Sequence, residues 1–211
     1  MELTNSIKTI LKQMNPSLMM TEHGIKMITS IVEGVIERII KISDLLVSEH
    51  DIILISDYTI ETAYSVISSG NIKQIGNSSA KNTIKQFNNF NNKEFLNIDE
   101  ITRQNGIIEK MSRPRPRDKS GLTLTVKPIQ KFMTDKSVHK IKIEGAIYCT
   151  AVIEYIIAEL IDVSKKNTLK DNRKKITVDD IQDGIATDSE LSHLILNSSP
   201  TSRLIIGNDN M

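Results

Sequence analysis

The 211-residue sequence lacks tryptophan and contains one cysteine, five prolines and 4 % aromatic residues. The single Cys149 excludes an intramolecular disulfide and a zinc site made of several cysteines, so we expect a reducing compartment. Excess charge of one sign is also missing, because 27 basic and 26 acidic residues leave a net charge of +1. This balance argues against a disordered chain or a polybasic tail, and bulk charge does not identify a partner.

Long apolar runs and enzyme motifs are missing as well. The apolar stretches are interrupted by charged residues every few positions and fall short of the roughly 20 residues that a membrane span needs. Residues 1–8 do not resemble a secretory signal. The sequence has no Gly-rich phosphate loop, no Ser-His-Asp order and no paired histidine ligands. We therefore expect an intracellular protein that is not an enzyme and that binds no metal or cofactor.

The first half follows a helical pattern. Residues 22–48 contain no proline, and their apolar residues recur at spacings of three and four, which predicts one long helix. Shorter helices are predicted around it, over residues 6–14, residues 57–68 and on to about residue 87. The following stretch to Ser120 is typical of a connector, with one possible short helix around residues 98–111.

The second half repeats this order. Helices are predicted over residues 128–134, 145–166 and 179–187, with a last short helix from Asp188. The segment 145–166 is apolar nearly all round, so its helix must be buried. One unit of short, long and short helix cannot cover its long helix on all sides, whereas two units that cross their long helices can. The sequence therefore predicts an all-α fold in which two such units pair within one chain.

Specific strings in both halves resemble core histones. GLTLTVKPIQKFM (121–133), AVIEYIIAELI (151–161), DNRKKIT (171–177) and DSEL (188–191) resemble histone 2A in order and spacing. In the first half, IERI (36–39) and IETA (60–63) resemble histone 2B. A 2B-like half followed by a 2A-like half is similar to the fused core histone doublets of large double-stranded DNA viruses.

This resemblance implies two tandem histone folds that pair intramolecularly in a handshake. It implies a 2B-like fold with a C-terminal helix over 1–90, a connector with a basic arm over 91–120, a 2A-like fold over 121–196 and a short tail over 197–211. The implied function is packaging of double-stranded DNA without sequence specificity. The implied partners are histones 3 and 4, or a fused doublet of them, in the virion or in a viral factory in the host cytoplasm or nucleus.

Histone-type DNA binding combines helix N-termini and loop amides with cations that enter the minor groove. The resemblance implies DNA-binding residues in the first half (Lys8, Lys12, Thr21), in the connector (Arg113, Arg115, Arg117, Lys119) and in the second half (Lys127, Lys131, Lys140, Lys142, Arg173, Lys174, Lys175). The loop 50–54 has acidic and apolar residues where cations are expected, so weaker DNA contact is expected on that side. A merely solvated charged face is the alternative for these loops and for the connector.

The resemblance also implies an acidic patch that docks partner proteins, with carboxylates at Glu154, Glu159, Asp162, Asp188 and Glu190. The patch is expected to be partial, and a solvated helix face is its alternative. Short terminal segments lead us to expect reduced docking on histones 3 and 4. The alternative function is a histone-fold transcription or assembly factor that binds DNA or recruits partners without packaging, which near-neutral charge favours.

Overall fold

The computed structural model describes residues 1–50, 54–105 and 116–196, with side chains except those of 92–105, 117 and 196. Within these ranges the chain is almost entirely helical, which confirms the all-α prediction. The elements in chain order are α1 (Thr4–Met14), β1 (Met19–Met20), α2 (Glu22–Glu49), β2 (Leu54–Ile55), α3 (Asp57–Ile67), α4 (Gly70–Asn105), α5 (Pro116–Ser120), α6 (Val126–Lys136), β3 (Lys140–Ile141), α7 (Ile143–Lys170), β4 (Lys175–Ile176), α8 (Val178–Thr187) and α9 (Ser189–Leu196). None of the helices in these ranges is long and apolar enough to cross a membrane.

Two long helices form the centre of the molecule. One face of α2 is buried at spacings of three and four, and the Thr21 hydroxyl caps its start by accepting a hydrogen bond from the Gly24 amide at 3.0 Å. Helix α7 is buried nearly all round, because α2, α3, α4, α6 and α8 all pack against it. Both long helices are 28 residues, which corresponds to about 42 Å at 1.5 Å per residue.

Two short parallel ladders connect the halves. Met19 and Met20 pair with Lys175 and Ile176, so β1 before α2 lies beside β4 after α7. In the same way β2, which follows α2, pairs with β3, which precedes α7. Each unit of short, long and short helix therefore pairs its first loop with the second loop of the other unit. This pairing places the two ladders at opposite ends of α2.

Helix α4 differs from the prediction, because it continues to Asn105 through the place where a connector was expected to begin at residue 91. The separate short helix expected over 98–111 is part of this continuous helix as far as the described residues extend. The reason is that residues 77–105 contain neither glycine nor proline. Their asparagines lower helix propensity only modestly, so a run of Asn is not a helix terminator.

Helix α6 also begins earlier than predicted. The helix predicted over residues 128–134 extends from Val126 to Lys136, and Pro128 is its third residue, within the first turn. Proline is tolerated there because the first four amides of a helix have no partner within the helix.

Candidate nucleic-acid interface and acidic surface

The ladder of β1 and β4 gathers one group of the predicted DNA-binding residues. The Met19 amide donates to the Lys174 carbonyl at 2.9 Å, and the Thr21 amide donates to the Ile176 carbonyl at 3.0 Å. These bonds hold the start of α2 beside Lys174 and Lys175, whose side chains are both exposed. A helix N-terminus next to two ammonium groups is a favourable place for a phosphate.

The ladder of β2 and β3 gathers a second group. Lys140 and Lys142 are exposed, and the Lys142 amide donates to the Ile55 carbonyl at 2.9 Å. The start of α7 approaches the other half so closely that a Cβ on Gly145 would lie 3.1 Å from the Ile55 carbonyl oxygen. Glycine at this position therefore lets the N-terminus of α7 lie directly beside the ladder.

Both ladders take their cations from the second half of the chain. Lys174 and Lys175 lie at one ladder, and Lys140 and Lys142 lie at the other. Leu54, the last residue of the loop that was expected to weaken DNA contact on its side, pairs with Lys140 of the other half. Residues 51–53 of that loop are outside the described residues. Weaker DNA contact on that side stays a prediction.

Arg173 is engaged within the protein. Its guanidinium donates to both oxygens of the buried Asp180 carboxylate, at 2.8 and 2.5 Å, and to Asp171 at 2.9 Å. The hydrogen bonds from Arg173 hold the pKa of Asp180 well below its usual range, with further support from Thr177. Asp180 also completes the capping box of α8 with Thr177. Arg173 therefore holds the loop after α7 against α8 through these hydrogen bonds. Its contact with DNA stays a prediction.

The remaining predicted cations differ in their surroundings. Lys8, Lys12, Lys127 and Lys131 are exposed on α1 and α6. The Lys119 ammonium donates to the Asn91 side chain at 2.9 Å and lies 5.4 Å from the centre of the Phe90 ring, so it is bound to α4. Arg113, Arg115 and the side chain of Arg117 lie outside the described residues.

Three of the five predicted acidic residues lie near Tyr155, and a fourth, Asp162, lies near one of them, Glu159. Burial raises the pKa of the Tyr155 hydroxyl, and the nearby charges of Glu159, Glu190 and Asp188 raise it further. Burial also raises the pKa of Glu159, which shares a hydrogen bond with Tyr155 and lies near Asp162 and Asp188. Asp162 is paired with two lysines of its own helix, at 2.5 Å to Lys165 and 3.4 Å to Lys166.

Three of the five carboxylates also bind backbone amides within the fold. Glu190 accepts from the Ile72 amide at 2.9 Å, near the start of α4. Asp188 caps α9 by accepting from the amides of Glu190 at 3.0 Å and Leu191 at 2.9 Å. Glu154 accepts from the Leu124 amide at 2.6 Å just before α6, where it lines a groove of about 480 Å³ between α1, α4 and α7. These bonds occupy carboxylate oxygens that would otherwise be available to a partner.

Asp44 of α2 is a further residue at the second ladder, and sequence reasoning missed it. Its carboxylate accepts hydrogen bonds from the Ser137 hydroxyl at 2.7 Å, the His139 Nδ1 at 3.0 Å and the Val138 amide at 3.4 Å. These partners are 93 to 95 residues away along the chain, so local spacing contains no signal for them.

The described ranges contain one thiol and several side chains of the types that bind metals. Within them, no three His, Cys, Asp or Glu side chains are placed to hold a metal ion together. Cys149 is fully buried in α7, and burial raises the pKa of its thiol to about 12, so the thiol stays protonated near neutral pH.

Comparison with known proteins identifies histone relatives for part of the chain. No protein-family model matches the sequence. Histone 2A.Z of Lodderomyces elongisporus is 35 % identical over 80 residues, which cover 36 % of this chain and 59 % of that protein. Histone 2A.Z of Scheffersomyces stipitis and that of Debaryomyces hansenii are each 36 % identical over 80 residues, covering 36 % of this chain and 60 % of theirs. The chain thus spans about three-fifths of the length of these curated relatives. It therefore contains a region similar to histone 2A.Z, in an all-helical architecture that is consistent with a histone fold.

Proposed function

We propose that this chain is a structural DNA-packaging protein, a covalent pair of a histone 2B-like half and a histone 2A-like half. The observation that carries the proposal is the pairing of loops from the two halves, which gives two ladders with exposed lysines at helix N-termini. The similarity to histone 2A.Z supports a histone-type role. In this proposal α1 to α3 with α4 form the 2B-like half, and residues 121–196 form the 2A-like half.

The spacing of the ladders favours two contacts with one duplex over a single local contact. They lie at the two ends of α2, about 40 Å apart. One turn of duplex, about 10.2 base pairs at 3.4 Å each, is about 35 Å, so the two ladders contact different turns of the same DNA. Lysine ammonium groups and backbone amides bind phosphates, which carry no direct sequence information. The arrangement therefore fits DNA of arbitrary sequence that contacts the protein at two places.

The partners are proposed on the same basis. Histones 3 and 4, or a fused doublet of them, would complete a nucleosome-like particle. The acidic surface of Glu159, Asp162, Asp188 and Glu190, with Glu154 nearer the start of α7, would dock proteins that present an arginine. Because these carboxylates also bind amides, lysines or Tyr155 within the fold, such docking would be weak. A viral doublet would act in the virion or in a viral factory.

Reconstitution on DNA tests this function. The full chain is mixed with histones 3 and 4, or with a fused doublet of them, on two DNA fragments of unrelated sequence, and the product is digested with micrococcal nuclease. Packaging predicts that one discrete length is protected on both fragments. A variant with Lys140, Lys142, Lys174 and Lys175 all changed to Ala lacks the proposed DNA contacts and should lose that protection.

A different digestion pattern would favour the alternative function. A histone-fold transcription or assembly factor would leave one sequence-specific footprint, or would bind partner proteins without protecting DNA. The net charge of only +1 is the observation that favours this alternative. Absence of any protection on either fragment would refute the packaging proposal.

A further inference from the structure

Three donors of one loop converge on a single carboxylate of the other half. Asp44 Oδ1 accepts from the Ser137 hydroxyl at 2.7 Å and from His139 Nδ1 at 3.0 Å, while Oδ2 faces the Val138 amide at 3.4 Å. The Ser137 hydroxyl oxygen in turn accepts from the His139 amide at 3.0 Å. The side chains of Asp44 and His139 are only 17 % and 21 % exposed, so water competes poorly for these bonds.

The bonding pattern is structural and not catalytic. The Ser137 hydroxyl is bonded to the carboxylate, whereas a nucleophile would be bonded to the imidazole that takes its proton. The loop that Asp44 holds leads directly into β3 and the start of α7, which carry Lys140 and Lys142. Asp44 therefore fixes the loop whose lysines face outward at the second ladder.

We propose that Asp44 is a positioning residue for DNA binding, acting through Ser137 and His139 on Lys140 and Lys142. This inference rests on the proposed function. A loop that is already ordered loses less conformational freedom when its lysines meet phosphates, so the complex forms with higher affinity. Asp44 strengthens DNA binding although it carries the same sign of charge as DNA.

Repulsion and positioning predict opposite effects of removing Asp44, which gives a decisive test. Simple Coulomb repulsion predicts that removing the Asp44 charge tightens DNA binding. Positioning predicts that Asp44→Ala weakens binding, because all three loop donors lose their acceptor. Asp44→Asn keeps an oxygen for Ser137 and His139 while it removes the charge, so it should bind DNA at least as tightly as the unchanged chain.

The experiment measures binding of the full chain to a duplex of arbitrary sequence over a range of salt concentrations. We expect Asp44→Ala to weaken DNA binding roughly three- to tenfold, because Lys140 and Lys142 then contact phosphates less well. We also expect the slope of log affinity against log salt to fall by about one to two units, because each lost phosphate contact removes about 0.9. A general loss of stability would leave that slope unchanged.

Matched variants separate the possible causes. Glu37→Ala removes another contact between α2 and the second half, the 2.7 Å ion pair with Lys136, and should leave the slope unchanged. In a chain that already has Lys140→Ala and Lys142→Ala, Asp44→Ala should cause no further loss. Should Asp44→Ala fail to fold by thermal denaturation, Ser137→Ala removes one donor without a change of charge and should weaken binding in the same direction.

The outcomes distinguish this inference from the proposed function. If the unchanged chain does not bind DNA, the proposed function is wrong. If it binds DNA and Asp44→Ala binds DNA equally or more tightly, the positioning role is wrong. This holds even if hydrogen exchange shows that the loop 137–142 has become more mobile.

Discussion

Replacing Gly70 by alanine perturbs a contact between the two halves of the chain. Gly70 is the first residue of α4 and has a φ of +55°, in the left-handed region that side chains with a Cβ avoid. A Cβ built on Gly70 would also overlap the carboxylate of Glu190, which comes from α9 and binds the Ile72 amide at 2.9 Å. Alanine therefore meets both a backbone penalty and a displaced helix cap.

The two penalties set the expected size of the effect. The left-handed conformation costs about 1–2 kcal/mol for a residue with a Cβ. Moving Glu190 away from the Ile72 amide removes an interaction of the helix-capping kind, which contributes about 1 kcal/mol. Gly70→Ala should therefore lower the free energy of unfolding by about 2–3 kcal/mol.

Chemical denaturation followed by far-ultraviolet circular dichroism measures this change. Gly34→Ala is the matched control, because Gly34 has an ordinary backbone inside α2 and alanine there should stabilise the chain by about 0.5–1 kcal/mol. Gly70→Ala combined with Glu190→Ala should cost less than the sum of the two single changes, because the overlap is gone. Equal and small effects at Gly70 and Gly34 would refute the contact between α4 and α9.

Three further predictions concern buried polar groups. Tyr64→Phe should cost about 1 kcal/mol in thermal denaturation, since the buried hydroxyl donates to the Ile72 carbonyl at 2.7 Å, and no loss would contradict that bond. Ser43→Ala should be neutral or stabilise by up to about 1 kcal/mol, because the buried Ser43 hydroxyl has no hydrogen-bond partner among the described residues, and a clear loss would contradict this. Asp180 should stabilise the fold above its unfolded pKa of about 3.9, and this contribution should be lost as pH falls through its lowered folded pKa. Denaturation of Asp180→Asn should accordingly vary less with pH below about 4 than that of the unchanged chain, and an equal slope would contradict the pairing with Arg173.

The helices of the central units could be predicted because their signal is local. Apolar spacing along residues 22–48 predicts a buried face, and α2 has that face over Glu22–Glu49. The continuous apolar surface of 145–166 likewise predicts the buried α7. The extension of α4 to Asn105 was missed because its run of asparagines was interpreted as the start of a connector, although asparagine lowers helix propensity only modestly.

The surroundings of the candidate site residues could not be predicted, because they depend on contacts between the halves. Glu190 has the sequence position of an acidic docking residue, yet it binds an amide 118 residues away. Asp44 has no local pattern at all, and its partners lie in the loop before β3. Even Arg173, only seven residues from Asp180, has a guanidinium whose direction depends on how α8 packs against α7. Residue type and spacing identify candidates, while packing decides which of them remain available.

Lysine footprinting tests whether the paired loops of the two halves present two pairs of lysines to DNA. The full chain is acetylated with and without a duplex of arbitrary sequence, and modification at each lysine is read by mass spectrometry. We predict protection of Lys140 and Lys142 together with Lys174 and Lys175, while the exposed Lys85 of α4 stays reactive. Equal reactivity of the two ladder pairs with and without DNA would contradict the account.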